Sequence, residues 1–329
     1  MKTRIGIFGV GHEHGAPAVQ TLRKNPNVEI VGLCEQDPEM LRERIAGNPA
    51  AYDGIPVVSM EELFAMKPDA AMVETSVPEL VPMATECARR GLHLHMDKPA
   101  GIDLPAYKSL LDILEQKHLV FQTGFMYRYN AGIRYCLEKV RDGSLGRIYN
   151  ISAQMCTKHP GWYKQLLLSY HVKAPDMFIF GGHLLDMCLQ IKGIPQQMQA
   201  FHAKSMDEGI ELTDTSVAVL QYPDGIATVK VSSVEVNGWG LRELIVYGEK
   251  GTVELRPMES PMELRETWLA EQMPWRAISK KVDIAETGRY DIMMDEFVKM
   301  VRGEIPYDVD FRHEYELQKY TLLACGYDC

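Results

Sequence analysis

Gly9-Val10-Gly11-His12-Glu13-His14-Gly15 joins an apolar run at residues 4–10 to an amphipathic stretch at 16–24. The run reads as a β-strand and the stretch as a helix, so the glycines occupy a strand-to-helix turn. Gly9 suits the tight turn. Gly11 lets the backbone approach a pyrophosphate at the positive end of the helix. The third glycine comes one residue later than in G-x-G-x-x-G, at Gly15. A second strand, residues 29–34, ends on Glu35. A carboxylate there accepts from both ribose hydroxyls of an adenosine and repels an added 2′-phosphate. Strand, turn, helix, strand and acid together read as a dinucleotide site, with NAD favoured over NADP.

Working outward, strand and helix patterns alternate through residue 124. Ser59-Met60-Glu61-Glu62 is a capping box that opens a short helix. Strands are expected at 70–74, 93–96 and 119–123, and helices at 78–90 and 104–117. Repeated β-α-β order implies a doubly wound parallel sheet of the Rossmann type. After residue 124 the strands lengthen. Pro223-Asp224-Gly225 divides strands at 215–222 and 226–234, and Gly248-Glu249-Lys250-Gly251 divides strands at 242–247 and 252–256. Helices are expected at 131–142, 177–191, 290–302 and 312–327. The class is α/β: a dinucleotide-binding domain at 1–124, then an α+β domain at 125–329 with a large mixed, mostly antiparallel sheet.

Composition narrows the function. The chain has 329 residues and a net charge of −10. Phosphate backbones need a basic face, so no nucleic-acid partner is expected. Seven scattered cysteines with no C-x-x-C pair fit reduced thiols of a cytoplasmic protein. No stretch is apolar enough to span a bilayer, and the short apolar start does not read as a signal peptide. His12 and His14 form an H-x-H pair, as do His93 and His95. Neither pair has a cysteine or acid at metal-signature spacing, so no metal is expected. Val217, Val219, Leu220, Val229, Val231, Leu244 and Val246 put apolar residues on more than one face of the second-domain sheet. A second copy is the simplest cover, so a homo-oligomer, dimer or tetramer, is expected.

Leu94-His95-Met96-Asp97-Lys98-Pro99-Ala100 places a lysine at the carboxyl end of a parallel strand, where ligands bind. Here the chain resembles the Gfo/Idh/MocA family of sugar and polyol dehydrogenases, whose Glu-Lys-Pro signature reads Asp97-Lys98-Pro99 in this sequence. Glu74-Thr75-Ser76-Val77-Pro78 resembles the family's turn beside the nicotinamide. Gly124-Phe125-Met126-Tyr127-Arg128-Tyr129-Asn130 resembles its crossing segment between domains, and Gly143-Ser144-Leu145-Gly146-Arg147 the turn that starts its second domain. Gly181-Gly182-His183-Leu184-Leu185-Asp186 resembles its G-x-H-x-x-D motif, and Gly248-Glu249-Lys250-Gly251-Thr252 is a further match. One departure stands out. The family often carries an aspartate four residues before the motif histidine; here that position is Ile179, and Asp176 lies a turn further back.

The resemblance implies hydride transfer between NAD and a secondary hydroxyl of a sugar or polyol. Lys98 is suited to hold the oxygen and His183 to accept its proton, the two converging on one substrate oxygen. Gly9, Gly11, His12, His14, Glu35, Thr75, Ser76, Pro78, Asp97 and Lys98 are expected to hold the cofactor. Arg128, Asn130, Tyr163, His171 and Asp186 are expected at the substrate, with Asp186 also able to orient His183. His159, Trp162 and Lys173 join that polar-aromatic stretch. Two alternatives remain: an NAD-dependent glycosidase of the same family, and a catalytically silent sensor that keeps the dinucleotide fold.

Overall fold

The structure, a computed structural model, describes residues 1–206, 209–270, 273–307 and 309–329. The chain forms two compact units. The first comprises Met1–Met126 and Gly288–Tyr315, the second Tyr127–Thr287 and Glu316–Cys329.

In the first unit β1 (Thr3–Phe8), β2 (Val28–Cys34), β3 (Ala70–Val73), β4 (His93–Met96) and β5 (Phe121–Thr123) make a parallel sheet in the order β2-β1-β3-β4-β5. The helices between them are α1 (Gly15–Lys24), α2 (Pro38–Gly47), α3 (Pro49–Tyr52), α4 (Met60–Ala65), α5 (Leu80–Arg89) and α6 (Leu104–Gln116). β3 is wholly buried, which suits its Ala-Ala-Met-Val sequence to a strand covered on both faces. The Ser59 capping box forms as expected. Asp37 caps α2, a helix the sequence reading passed over although Asp before Pro is a start signal. The expected helix at 78–90 resolves into a 3₁₀ turn, Val77–Glu79, followed by α5.

Strand register positions the site. Phe8 lies beside Cys34 and Val73, Val73 beside Met96, and Met96 beside Thr123. The next residue on each strand is therefore Gly9, Glu35, Glu74, Asp97 and Gly124, all at the carboxyl edge. The strand order reverses between β1 and β3, which is where open α/β sheets bind ligands.

In the second unit α7 (Ala131–Arg141) precedes β6 (Ile148–Cys156), and α8 (Gly161–Ser169) leads to a π-helical turn, Met177–Gly181, that runs into α9 (Gly182–Lys192). There follow β7 (Gln197–Ala203), β8 (Thr215–Tyr222), β9 (Gly225–Ser232), β10 (Glu243–Gly248), β11 (Gly251–Leu255), β12 (Leu264–Ala270) and β13 (Met273–Val282). The sheet order is β13-β12-β11-β10-β6-β9-β8-β7, and only β6 and β9 pair in parallel. Both expected hairpins are present. α7 and α9 pack on one face, over Ile151, Ala153, Val229, Leu244 and Leu255.

Helix α10 (Asp291–Val301) and the first residues of α11 (Phe311–Ala324) correct the expected domain limits. Residues 288–315 were expected in the second domain but belong to the first unit. The reason lies in β5, the edge strand: the Phe121 amide donates to Tyr307 Oη at 3.0 Å, Gln122 Nε2 to the Met293 carbonyl at 3.0 Å, and Thr123 Oγ1 to Glu314 at 3.0 Å. Among the described residues no helix is long and apolar enough to cross a membrane.

Candidate functional site

Gly9 turns the chain at φ +89°, and a Cβ on it would stand 2.5 Å from Thr75 Cγ2. A Cβ on Gly11 would stand 2.7 Å from the Ser76 amide nitrogen. Both glycines are thus demanded by packing of the turn against the end of β3, in addition to any ligand that approaches it. Beside them opens a cavity of about 330 Å³ lined by Gly9, Glu35, Asp37, Met40, Thr75 and Ser76, among others. That volume lies in the range, roughly 300–1,000 Å³, typical of small-ligand sites. Glu35 is set rigidly there. Its Oε2 accepts from the Val10 amide at 2.9 Å, and its Oε1 from the Gln36 and Asp37 amides at 2.7 and 3.1 Å. Arg44, which sequence reasoning missed, donates to the Gly11 carbonyl at 2.9 Å and puts a cation at the turn. Pro78, expected at the cofactor, is exposed on the 3₁₀ turn and is not part of the cavity lining.

His12, His14 and Asp97 were expected with that set but form a cluster of their own, with His12 and Asp97 buried and His14 half-buried. The Nδ1 atoms of His12 and His14 lie 3.2 and 3.3 Å from Asp97 Oδ2. The Lys98 amide donates to Asp97 Oδ1 at 2.7 Å, and His12 Nε2 bonds the Lys98 carbonyl at 3.1 Å. Gly124 leaves room for this acid, since a Cβ there would meet Asp97 Oδ1 at 2.5 Å. Burial opposes charge on Asp97, yet the two imidazoles hold its carboxyl well below the usual range. Glu74 goes the other way: burial, then the Asp97 charge, pushes it well up. His14 is brought down to about 4 by burial, against the pull of Asp97. The sequence has no acid at metal-signature spacing from His12 and His14, yet the fold sets one beside both. The acid arrives from β4, far along the chain, because parallel strands bring their carboxyl ends together.

Lys98 itself follows β4, as expected, and is buried. In the second unit His183 is buried on α9 and meets the Tyr127 ring edge-on, with centroids 5.0 Å apart. Asp186 takes a fork from Arg128, with Nε–Oδ2 2.9 Å and Nη2–Oδ1 2.8 Å, and a further bond from Gln190 at 3.0 Å. The two residues expected to meet substrate thus hold each other. Asn130 caps α7 by accepting from the Ile133 amide at 3.0 Å and donates to the Met258 carbonyl at 3.2 Å. His171 is exposed after α8 at φ +52°, and Lys173 is tied to the Gly326 carbonyl at 2.9 Å. Tyr163 stacks on His159, with centroids at 4.4 Å, and His159 on Phe180 at 5.1 Å. Burial, helped by Arg242 and Lys164, lowers the His159 imidazole to about 4.

Residues 3–125 match the model of an oxidoreductase family with an NAD-binding Rossmann fold, and residues 133–254 match the GFO/IDH/MocA C-terminal domain. The chain belongs to the GFO/IDH/MocA family. Among curated relatives of this family it is 22% identical to myo-inositol 2-dehydrogenase of Thermotoga maritima, over 76% of this chain and 74% of that protein. It is 26% identical to glycosyl hydrolase family 109 protein 2 of Akkermansia muciniphila, over 43% of this chain and only 31% of the relative. Of solved structures, UDP-N-acetylglucosamine 3-dehydrogenase from Acidithiobacillus ferrooxidans superposes with a TM-score of 0.80 at 18% identity, covering 99% of this chain and 97% of the other. A dehydrogenase from Bordetella pertussis in complex with NADH and UDP-GlcNAcA gives 0.75 at 20% identity, covering 99% and 95%. These likenesses show the fold.

Proposed function

We propose that the protein is an NAD-dependent dehydrogenase or reductase acting on a secondary hydroxyl of a sugar, polyol or related small molecule. The observation that carries the reading is the Glu35 carboxylate. Three backbone amides hold it in the cavity at the carboxyl edge of the sheet, beside Gly9, Thr75 and Ser76. A carboxylate has about four acceptor sites, so with three amides in place about one remains for a ribose hydroxyl. Its charge disfavours a 2′-phosphate. Thr75 and Ser76 line the same cavity and offer further hydroxyls. When bound, the nicotinamide supplies the hydride acceptor.

The chain's own residues handle the proton. Lys98 is suited to hold a substrate oxygen through its ammonium as negative charge develops there. His183 is suited to accept a proton on an imidazole nitrogen. Relatives named for inositol, glucoside and xylose dehydrogenation support the sugar and polyol class. The open face of the second-unit sheet supports self-association, since Phe201 and Ile226 are exposed there and Val217 and Val219 half-buried.

Calorimetric titration with NAD and with NADP tests the cofactor, and NAD is expected to bind more tightly. Equal or tighter NADP binding overturns the role given to Glu35. Incubation with free sugars and polyols is expected to release NADH in step with a keto product. Cleavage of glycosides without net NADH would instead establish the glycosidase chemistry of part of the family.

A further inference from the structure

The buried cluster at the ends of β1, β3 and β4 contains an unresolved charge. His12 Nε2 faces the Lys98 carbonyl at 3.1 Å. A carbonyl only accepts, so that nitrogen carries the proton, and in the neutral ring Nδ1 carries a lone pair. The His14 amide also points at this Nδ1, at 3.2 Å, a contact that an ion on the same lone pair would replace. Yet Asp97 Oδ2 stands 3.2 Å from this nitrogen and 3.3 Å from His14 Nδ1. Two acceptors so close repel unless positive charge lies among them. Glu74 points at the same place: it is fully buried, neither of its oxygens has a hydrogen-bond partner among the described residues, and its Oε2 lies 3.9 Å from His12 Nδ1, with its Oε1 3.6 Å from His95 Nε2.

We propose that His12, His14, Asp97 and Glu74 form a binding site for one divalent transition-metal ion of the zinc type per chain. The donor atoms of His12, His14 and Asp97 all lie within 4.8 Å of one another. Ligands about 2.0–2.2 Å from a tetrahedral zinc stand about 3.3–3.5 Å apart, close to the contacts already made with Asp97. Two imidazoles and two carboxylates suit zinc or cobalt better than magnesium, which prefers oxygen and retains water. Two carboxylates also neutralise a dication. The supporting shell is in place: the Lys98 carbonyl orients His12, and the Lys98 amide, at 2.7 Å, orients Asp97. His14 is the way in, with its side chain 22% exposed. An ion here staples the glycine turn to the strand end that carries Lys98. The site shares no ligand with the Glu35 cavity and does not rest on the dinucleotide reading.

The test uses the full chain stripped with a chelator. Zinc(II) calorimetry is expected to give one site per chain, with a higher melting temperature on loading. Cobalt(II) is expected to give tetrahedral visible absorption without a thiolate charge-transfer band, which excludes the cysteines. Asp97→Asn and His14→Gln are each expected to weaken zinc binding by about a hundredfold or more. A folded wild-type chain that takes up no stoichiometric zinc overturns the proposal. So do variants that bind as tightly as wild type, or a cobalt spectrum with thiolate character. If a variant fails to fold, the wild-type stoichiometry and spectrum still decide.

Discussion

Asp176 → Asn should flatten the dependence of stability on pH. Asp176 is fully buried just before the π-helical turn. Burial is the main cause that raises its carboxyl from 3.8 to about 7; Asp214 adds to the rise, while Ser233 and Lys164 oppose it. The folded protein therefore keeps a proton that the unfolded chain releases. Stability from this group is fully present below the unfolded value of about 3.9 and is lost as pH rises through about 7. Linkage gives a full loss of about 4 kcal/mol, of which roughly 2–3 kcal/mol falls between pH 5 and pH 8. All 4 tryptophans belong to the second unit, so their fluorescence reports its unfolding. Urea melts of wild type and variant at several pH values are the assay. The Asn side chain carries its own burial cost, so the change of the difference with pH is the quantity to read. It should move by roughly 2–3 kcal/mol in favour of Asn from pH 5 to pH 8. A difference constant with pH would refute the reasoning, because it would mean that Asp176 binds protons equally in both states.

Lys98→Met should lower turnover by about a hundredfold or more while NAD affinity changes little, read by steady-state kinetics beside calorimetry. A loss confined to KM would contradict its role at the reacting oxygen. Arg128→Met should destabilise the second unit by about 3 kcal/mol, because it leaves the buried Asp186 carboxylate without its fork, and thermal melts would show it. Light scattering should give a mass at least twice the 37.3 kDa of one chain, and a monomer at working concentration would refute pairing of the open sheet face.

Local signals carried much of this. The glycine turn, the Ser59 cap, the two hairpins and the acid after β2 are short-range features, and the structure contains each of them. Strands β7, β12 and β13 were not legible, because their residues are largely exposed or half-exposed and lack apolar alternation in the part described. The intrachain partners of the substrate candidates were not legible for a related reason. Arg128, Asn130 and Asp186 were singled out by residue type and position, and residue type cannot tell a ligand-binding group from one held by its own chain. In the structure Arg128 and Asp186 pair and Asn130 caps a helix.

By itself the sequence determined the class: alternating strand and helix patterns with a glycine turn admit a doubly wound sheet, since local periodicity and turn chemistry depend on neighbours a few residues apart. Tertiary structure alone decided which distant residues meet. It returned residues 288–315 to the edge of β5, and it set Asp97 and Glu74 against His12 and His14. The physical reason is the parallel register. It aligns the carboxyl ends of strands separated by dozens of residues, so the chemistry at that edge is a sum over strands that no single stretch of sequence contains.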